Sequence, residues 1–325
     1  MIIAVTGGTG FIGKHLIRRH LDFGDQVRYL TRDHGSQELE GAKPYIGDLN
    51  SSIEILHEFL DGADVLYHCA AELRNESQMY NTNVLGTANL LVAARGKRCR
   101  WVQLSSTGVY GKVLDGNICE SSELNPNNAY EKSKTKSDML VLDAIKHDKL
   151  FGVILRPSVV YGNDMPNRSL FQLIQMIHKN LFFFIGKTGA TANYIHVENV
   201  VDALVLCGTS TAALTGSIYI VSDYCKLEEL VETIAAVLDK KIPKARVPES
   251  LMRAATSFLQ IIMPNFPLSP ARIDALTNKV VYATNSIEKE MGFKCQISIK
   301  CGISELTRYY LTSILKPNVS DSSKK

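Results

Sequence analysis

No stretch of this 325-residue sequence holds the ~20 consecutive apolar residues that a membrane-spanning helix needs. It also lacks any Cys-x-x-Cys pair. Its seven cysteines, Cys69, Cys99, Cys119, Cys207, Cys225, Cys295 and Cys301, are odd in number and widely spaced, which argues against a disulfide framework and a zinc site. Most read as buried thiols. There is no excess of one charge: 36 Lys and Arg stand against 33 Asp and Glu, a net charge of +3. The tightest basic group, Arg95, Lys97, Arg98 and Arg100, reads as a solvated helix-to-strand turn rather than the basic stripe that nucleic acid requires. No internal repeat is visible. The opening apolar run is itself the first strand, leaving no room for a signal peptide, so a cytoplasmic chain without membrane attachment is expected. What is present, 45% hydrophobic and 21% charged residues, is the composition of a soluble globular protein. The length predicts one large or two closely packed domains.

Short β-branched runs alternate with helical periods: "IIAVT", Phe11 to Phe23, "QVRYL", "PYI", Ser52 to Leu60, "DVLYH", Ser77 to Ala94, "WVQLS", Asn128 to Lys146 and "FGVILR". Strands this apolar must be covered on both faces, so the rhythm predicts βαβ units in a doubly wound α/β domain with a parallel sheet. Beyond Pro157 the texture changes to loops and helices. Residues 1–157 read as the first domain, with 190–225 returning to it through two or so segments. Residues 158–189 and 226–315 read as a smaller, mainly helical subdomain that forms a lid over the strand ends, and 316–325 as a disordered tail. The segment "LMRAATSFLQIIMPNFP" carries Arg253, Gln260 and two prolines, and reads as a helix over the cleft or at a subunit contact.

In "VTGGTGFIG", Gly7, Gly10 and Gly13 fall between the first strand and the first helix. Gly7 permits a tight turn, Gly10 removes a side chain that would hold a pyrophosphate off the backbone amides, and Gly13 lets the helix approach the sheet. The loop is therefore a dinucleotide cradle. At the end of the second strand, where an NAD site places an acidic residue, stand Thr31 and then Arg32, whose guanidinium suits a 2′-phosphate. NADP(H) is predicted over NAD(H), with Asp33 as the residue that would serve a ribose instead.

"AYEKSKTKSDML" spaces Tyr130 and Lys134 one helical turn apart on one face. A phenol is a poor base at neutral pH, and an adjacent ammonium favours its phenolate. Ser106, in "VQLSSTGVYG", ends the fifth strand and can share a substrate oxygen with Tyr130, giving a Ser106, Tyr130 and Lys134 catalytic set. Ser105 reads as a strand-end hydroxyl bonded to backbone.

With those residues in place, the chain resembles an extended short-chain dehydrogenase/reductase of the nucleotide-sugar epimerase/dehydratase family. "TGGTGFIG", "GDL", "HCAA", "NVLGTANLL", "SSTGVYG", "YEKSK", "LRPSVVYG" and "YIHVENVVDAL" occur in family order across nearly the whole length. The resemblance implies a Rossmann-type fold. It implies a cofactor along Gly7, Gly10, Phe11, Ile12 and Gly13, with Arg32 at the adenosine ribose, Asp48 and Leu49 at the adenine, and Ala70 and Ala71 along its length. It places Asn83 behind the cofactor and Pro157 to Val159 near the nicotinamide, with Tyr130 and Lys134 completing the contacts. From the residues alone, Asn83 and His196 are equally well read as satisfied polar groups in packed elements. The resemblance also implies a homodimer through the helices beginning at Ser77 and Asn128.

Family membership leaves the reaction open. Dehydratases of the family carry an Asp-Glu pair after the catalytic hydroxyl residue, where this chain has Thr107 and Gly108. No dedicated motif for a sugar carboxylate marks a decarboxylase. Arg32 favours a reductase that exchanges NADPH each turnover. Val159, where sugar epimerases place an asparagine, points away from epimerisation. The leading expectation is NADPH-dependent reduction of a nucleotide-linked 4-keto-6-deoxyhexose, with Thr107 and Arg272 as substrate contacts. The alternatives are a nucleotide-sugar 4-epimerase with retained NAD, a reductase of steroid- or flavonoid-like ketones, which "FFF" and the apolar C-terminal helix would suit, and a non-catalytic dinucleotide sensor. Such sensors lose the tyrosine or lysine that this chain keeps.

Overall fold

The structure, a computed structural model, describes residues 1–32, 39–113, 115–262 and 269–314, with side chains described outside 257–262 and 314. Asp33 and the tail 316–325 lie outside the described residues, as does the end of the apolar segment at 263–268. Strands β1 (Ile2–Thr6), β2 (Gln26–Thr31), β3 (Lys43–Ile46), β4 (Val65–His68) and β5 (Arg100–Leu104) join Gly152–Pro157 and Ile218–Val221 in one sheet. Across that sheet the order is Ile218–Val221, Gly152–Pro157, β5, β4, β1, β2, β3, with every pairing parallel. The order in which strands are added reverses between β1 and β4: β2 and β3 extend the sheet to one side of β1, and β4 and β5 to the other. In an open parallel sheet the crevice beyond that point is where ligands bind.

Alternation along the strands divides the core. Ile3, Val5, Val65, Tyr67, Val102 and Val153 pack on one face with Leu16 and Ile17 of α1 (Phe11–Asp22) and Val200, Val201 and Leu204 of the helix Val197–Thr209. Ala4, Leu66, Trp101 and Ile154 pack on the other face with Leu56, Phe59, Leu90 and Val141 from the helices Ile53–Leu60, Gly86–Ala94 and Ala129–His147. Burying large aliphatic side chains contributes roughly 1.5–3 kcal/mol each, and these strands bury both their faces.

The expectation for residues after Pro157 needs a correction. Among the described residues after Pro157, only Ile218–Val221 joins the central sheet as a strand; Thr191–His196 pairs instead with Val159–Tyr161 and Asp223–Lys226 in a three-stranded sheet, and the helix that follows it returns to the central core. Val159–Tyr161, directly after Pro157, offers Thr191–His196 a parallel partner away from the central sheet. A further core of Leu170, Ile174, Leu230, Ile234, Ile303 and Leu306 holds the C-terminal helices together. Helix Glu249–Ile262 is tied to Pro270–Thr277 by Arg253, which bonds Glu249 and Asp274.

Two other readings change. Arg100 is not a solvated turn residue: its guanidinium donates to the carbonyls of Cys207, Ser210 and Ala213, capping the end of Val197–Thr209. Of the cysteines only Cys99 and Cys207 are fully buried, while Cys119 and Cys301 are exposed.

Candidate active site

A cleft of about 1340 Å³ runs across the carboxyl ends of β1, β2, β4 and β5. At its floor, Gly7 has φ +70° and a Cβ there would lie 2.7 Å from the Ala70 nitrogen, so only glycine lets the β1 turn pass the end of β4. A Cβ on Gly13 would collide with the Gly7 carbonyl oxygen; the close approach is to the loop's own backbone rather than to the sheet. Gly10 caps α1 without a side chain, and no acidic residue stands in that helix's first turn. These amides and the helix dipole fit an anionic pyrophosphate.

Gly7, Gly10, Phe11, Ile12, Gly13, Arg32, Asp48, Leu49, Ala70, Ser106, Tyr130, Lys134, Pro157 and Val159 all line this one cleft. The loop holding Asp48 is set by its own bonds: Asp48 Oδ1 accepts from the Asn50 amide, and Asn89 donates to the Leu49 carbonyl. Arg32 is exposed at the end of β2.

Three expected residues lie elsewhere. Asn83 is buried in a π-helical stretch, Tyr80–Leu85, where its side chain bonds both the amide and the carbonyl of Glu72 and donates to Ser133. It braces the loop after β4 against the helix Ala129–His147 and does not line the cleft. Thr107 is buried and hydrogen-bonded with Tyr282. Arg272 is exposed on the helix Pro270–Thr277, with its guanidinium on Gln172 Oε1 at 2.7 Å.

The helix Ala129–His147 starts at a capping box of Asn128 and Glu131, which fixes the first turn carrying Tyr130. Tyr130 hydrogen-bonds with Ser106, whose Oγ also accepts from the Gly108 amide. Burial pushes the Tyr130 phenol up to about 12; the Ser106 hydrogen bond opposes this, and Asp138 and Glu131 add to it. A phenol held protonated across neutral pH is the form from which a general acid donates. Burial lowers Lys134, and the charge of Asp138 opposes it. The Lys134 ammonium donates to the Leu104 carbonyl at 2.6 Å. Ser105 departs from its expected role: its Oγ donates to Asp138 Oδ2 at 2.8 Å, not to backbone.

Beneath the site a buried polar row, unrecognised in the sequence, crosses the sheet. Register sets Thr6 beside His68 and His68 beside Gln103. Thr6 and Thr87 bond the two ring nitrogens of His68, Thr87 meets Ser137, and Gln103 joins Ser137 to Trp101. Because the Thr87 hydroxyl donates to the Asn83 carbonyl, it accepts from His68, which assigns the proton to Nε2. Burial holds His68 neutral by lowering it to about 3. Its signal was a polar residue at the end of β1 and of β4, Thr6 and His68, and one place before the end of β5, Gln103.

A profile of the NAD dependent epimerase/dehydratase family matches residues 3–222. The chain is 28% identical over 324 residues to a 4-hydroxy-2-methyl-3-oxo-4-farnesyl-3,4-dihydroquinoline-1-oxide ketoreductase of Stigmatella aurantiaca, covering 93% of this chain and 94% of that one. It is 26% identical over 346 residues to a 3 beta-hydroxysteroid dehydrogenase/Delta 5-->4-isomerase of Mycobacterium tuberculosis, covering 95% and 90%. UDP-glucuronic acid 4-epimerase from Bacillus cereus, solved with NAD, superposes with a TM-score of 0.74 at 18% identity, covering 95% and 98%. Among the described residues no helix is long and apolar enough to cross a membrane.

Proposed function

The chain belongs to the NAD dependent epimerase/dehydratase family of extended short-chain dehydrogenases/reductases, and from that premise we propose that it is an NADP(H)-dependent oxidoreductase interconverting a ketone and a secondary alcohol on an apolar, polycyclic or prenylated substrate. The observation that carries the substrate class is the wall after Pro157. Its cleft-lining residues, Pro157, Ser158, Val159, Val160, Asp164, Pro166 and Asn167, include no lysine or arginine among the described residues and one carboxylate. A nucleotide sugar brings a pyrophosphate that this wall would leave unpaired. Ketone and hydroxysteroid chemistry in the names of two relatives supports the same reading.

The dinucleotide, when bound, supplies or accepts a hydride at its nicotinamide. The loop Gly7 to Gly13 and the first turn of α1 would hold its pyrophosphate, Arg32 its 2′-phosphate, and Asp48 and Leu49 its adenosine. Lys134 would hold the nicotinamide ribose. In the reducing direction Tyr130 donates its proton to the carbonyl oxygen as hydride reaches the carbonyl carbon, and Ser106 hydrogen-bonds that oxygen and orients it. The exposed apolar side chains Tyr80, Leu85, Val92 and Met139, on the helices expected at a dimer contact, support pairing of two copies there, which sedimentation velocity reads.

The test is NADPH oxidation by the purified protein with a panel of steroid 3-ketones and prenylated quinolones beside dTDP-4-keto-6-deoxyglucose, with conversion of UDP-glucose to its 4-epimer followed separately by product analysis. The expected result is consumption of NADPH with apolar ketones alone. Turnover of either nucleotide sugar, with every apolar ketone untouched, rejects the substrate class and restores the sugar reading.

A further inference from the structure

Three consecutive residues at the end of β5 are stitched to three consecutive turns of one helix face. Ser106 bonds Tyr130, the Leu104 carbonyl takes the ammonium of Lys134, and Ser105 donates to Asp138. Positions 130, 134 and 138 are spaced by four, which puts them one above another on the helix. Asp138 is 1% exposed and its Oδ2 also takes the guanidinium of Arg156, with Nε and Nη2 each at 3.1 Å. Arg156 is equally buried, lies on the strand Gly152–Pro157 directly before the wall at Pro157, and donates to the Tyr110 hydroxyl at 2.9 Å. One carboxylate thus ties together the three segments that carry Ser106, Tyr130 with Lys134, and Pro157.

Its second oxygen is the informative atom. Asp138 Oδ1 is buried and accepts no hydrogen bond from any described residue. A fully buried carboxylate is costly, and an ion pair with Arg156 that served packing alone would be expected to satisfy both oxygens. The group one turn away on the same face is Lys134. The groups facing the Lys134 ammonium are the Leu104 carbonyl on β5, His68 and Cys69 at the end of β4, and Asp138 on its own helix, with Arg156 beyond Asp138. Of these, Asp138 is the carboxylate.

We infer that Asp138 is the positioning residue of the site: its bonds to Ser105 and Arg156 hold the end of β5 and the Pro157 wall against the helix face that carries Tyr130 and Lys134. The inference rests on the reading of the cleft as a dinucleotide site. Lys134 is lowered by burial and raised by Asp138, so removing that charge brings loss of its proton toward neutral pH, and dinucleotide affinity becomes pH-dependent.

The experiment measures NADPH affinity by fluorescence from pH 6 to 8.5 in the full chain, with Asp138→Asn and Asp138→Glu beside the parent. The parent and Asp138→Glu are expected to stay level. Asp138→Asn is expected to weaken about tenfold across the range, the equivalent of one pKa unit. A purely structural residue would weaken binding evenly at every pH. If Asp138→Asn does not fold, Asp138→Asn/Arg156→Gln removes both buried charges and is read the same way. A pH-independent affinity in the neutral variants, with the parent binding normally, overturns this inference alone. A parent that binds no dinucleotide at any pH overturns the cofactor reading, and this inference with it.

Discussion

The two walls of the cleft are built by different means. The wall from β1, β2 and β4 is made of short loops leaving parallel strands, each with bonds to neighbours close in sequence: the Gly10 amide on the Gly7 carbonyl, the Asn50 amide on Asp48, and the amides of Arg74 and Asn75 on Glu72. The wall after Pro157 is made by residues 157–167, whose surroundings come from far along the chain. Gly162 packs against Val197 and Phe11, and Asp164 meets His15. The first wall presents backbone amides, Arg32 and Arg74 beside Asp48 and Glu72; the second presents Pro157, Val159, Val160 and Pro166 with Ser158, Asn167 and the carboxylate of Asp164. The difference teaches that the wall proposed for the cofactor is largely a local motif and the wall proposed for the substrate a product of tertiary assembly.

The sharpest way to break this comparison is at the residue between the walls. Tyr130→Phe is expected to lower the rate of ketone reduction about 10³-fold, within the range for loss of a general acid, with NADPH affinity changed little. Stopped-flow reduction and fluorescence titration separate the two quantities; a parent-like rate removes Tyr130 from the chemistry.

Next in size is the acid sensitivity of the first wall. His68 titrates at about 3 in the folded chain against 6.5 unfolded, so the unfolded state binds an extra proton between those values. Stability from this group is therefore complete above pH 6.5 and falls as pH drops, costing about 2 kcal/mol between pH 7 and 5. His20 and His196, also lowered by burial, act in the same direction. Urea midpoints across that range measure the sum, and a level profile contradicts a neutral His68 row.

Smaller again is the charge recognition expected of the same wall. Arg32→Ala is expected to weaken NADPH about tenfold, the loss of one charge-assisted contact, and to leave NADH unchanged. Equal affinity of parent and variant for NADPH would assign the 2′-phosphate elsewhere. The smallest effect belongs to the far side of the second wall. Arg272→Ala is expected to change kcat/KM by less than about twofold, as for a surface substitution away from the site. A larger fall would draw Arg272 into the substrate's path.

The same division explains what was legible in the sequence. The glycine loop, the Tyr130–Lys134 turn and six of the seven strands of the central sheet carry local periodicities, and the structure brings the first two to one cleft on that sheet. Asp138 stood in plain view one turn after Lys134, but its partner Arg156 lies on another strand, and nothing local pairs them. Ser105 was misread for the same reason: a strand-end hydroxyl has a backbone partner in most contexts, and only the packed helix supplies Asp138. Thr191–His196 has the pattern of a sheet strand, yet its partners are Val159–Tyr161 and Asp223–Lys226, a choice made by packing beyond Pro157. Arg272 carried the right charge for a pyrophosphate, and its helix turns it onto Gln172.

The most direct test of the central claim is a crystal structure of the protein with NADPH and an unreactive ketone analogue. It should show the pyrophosphate on the amides that follow Gly10, the 2′-phosphate at Arg32, and the analogue's oxygen within hydrogen-bond reach of both Ser106 and Tyr130. A dinucleotide bound outside this cleft, or one lying in it with the nicotinamide away from Tyr130, would contradict the account.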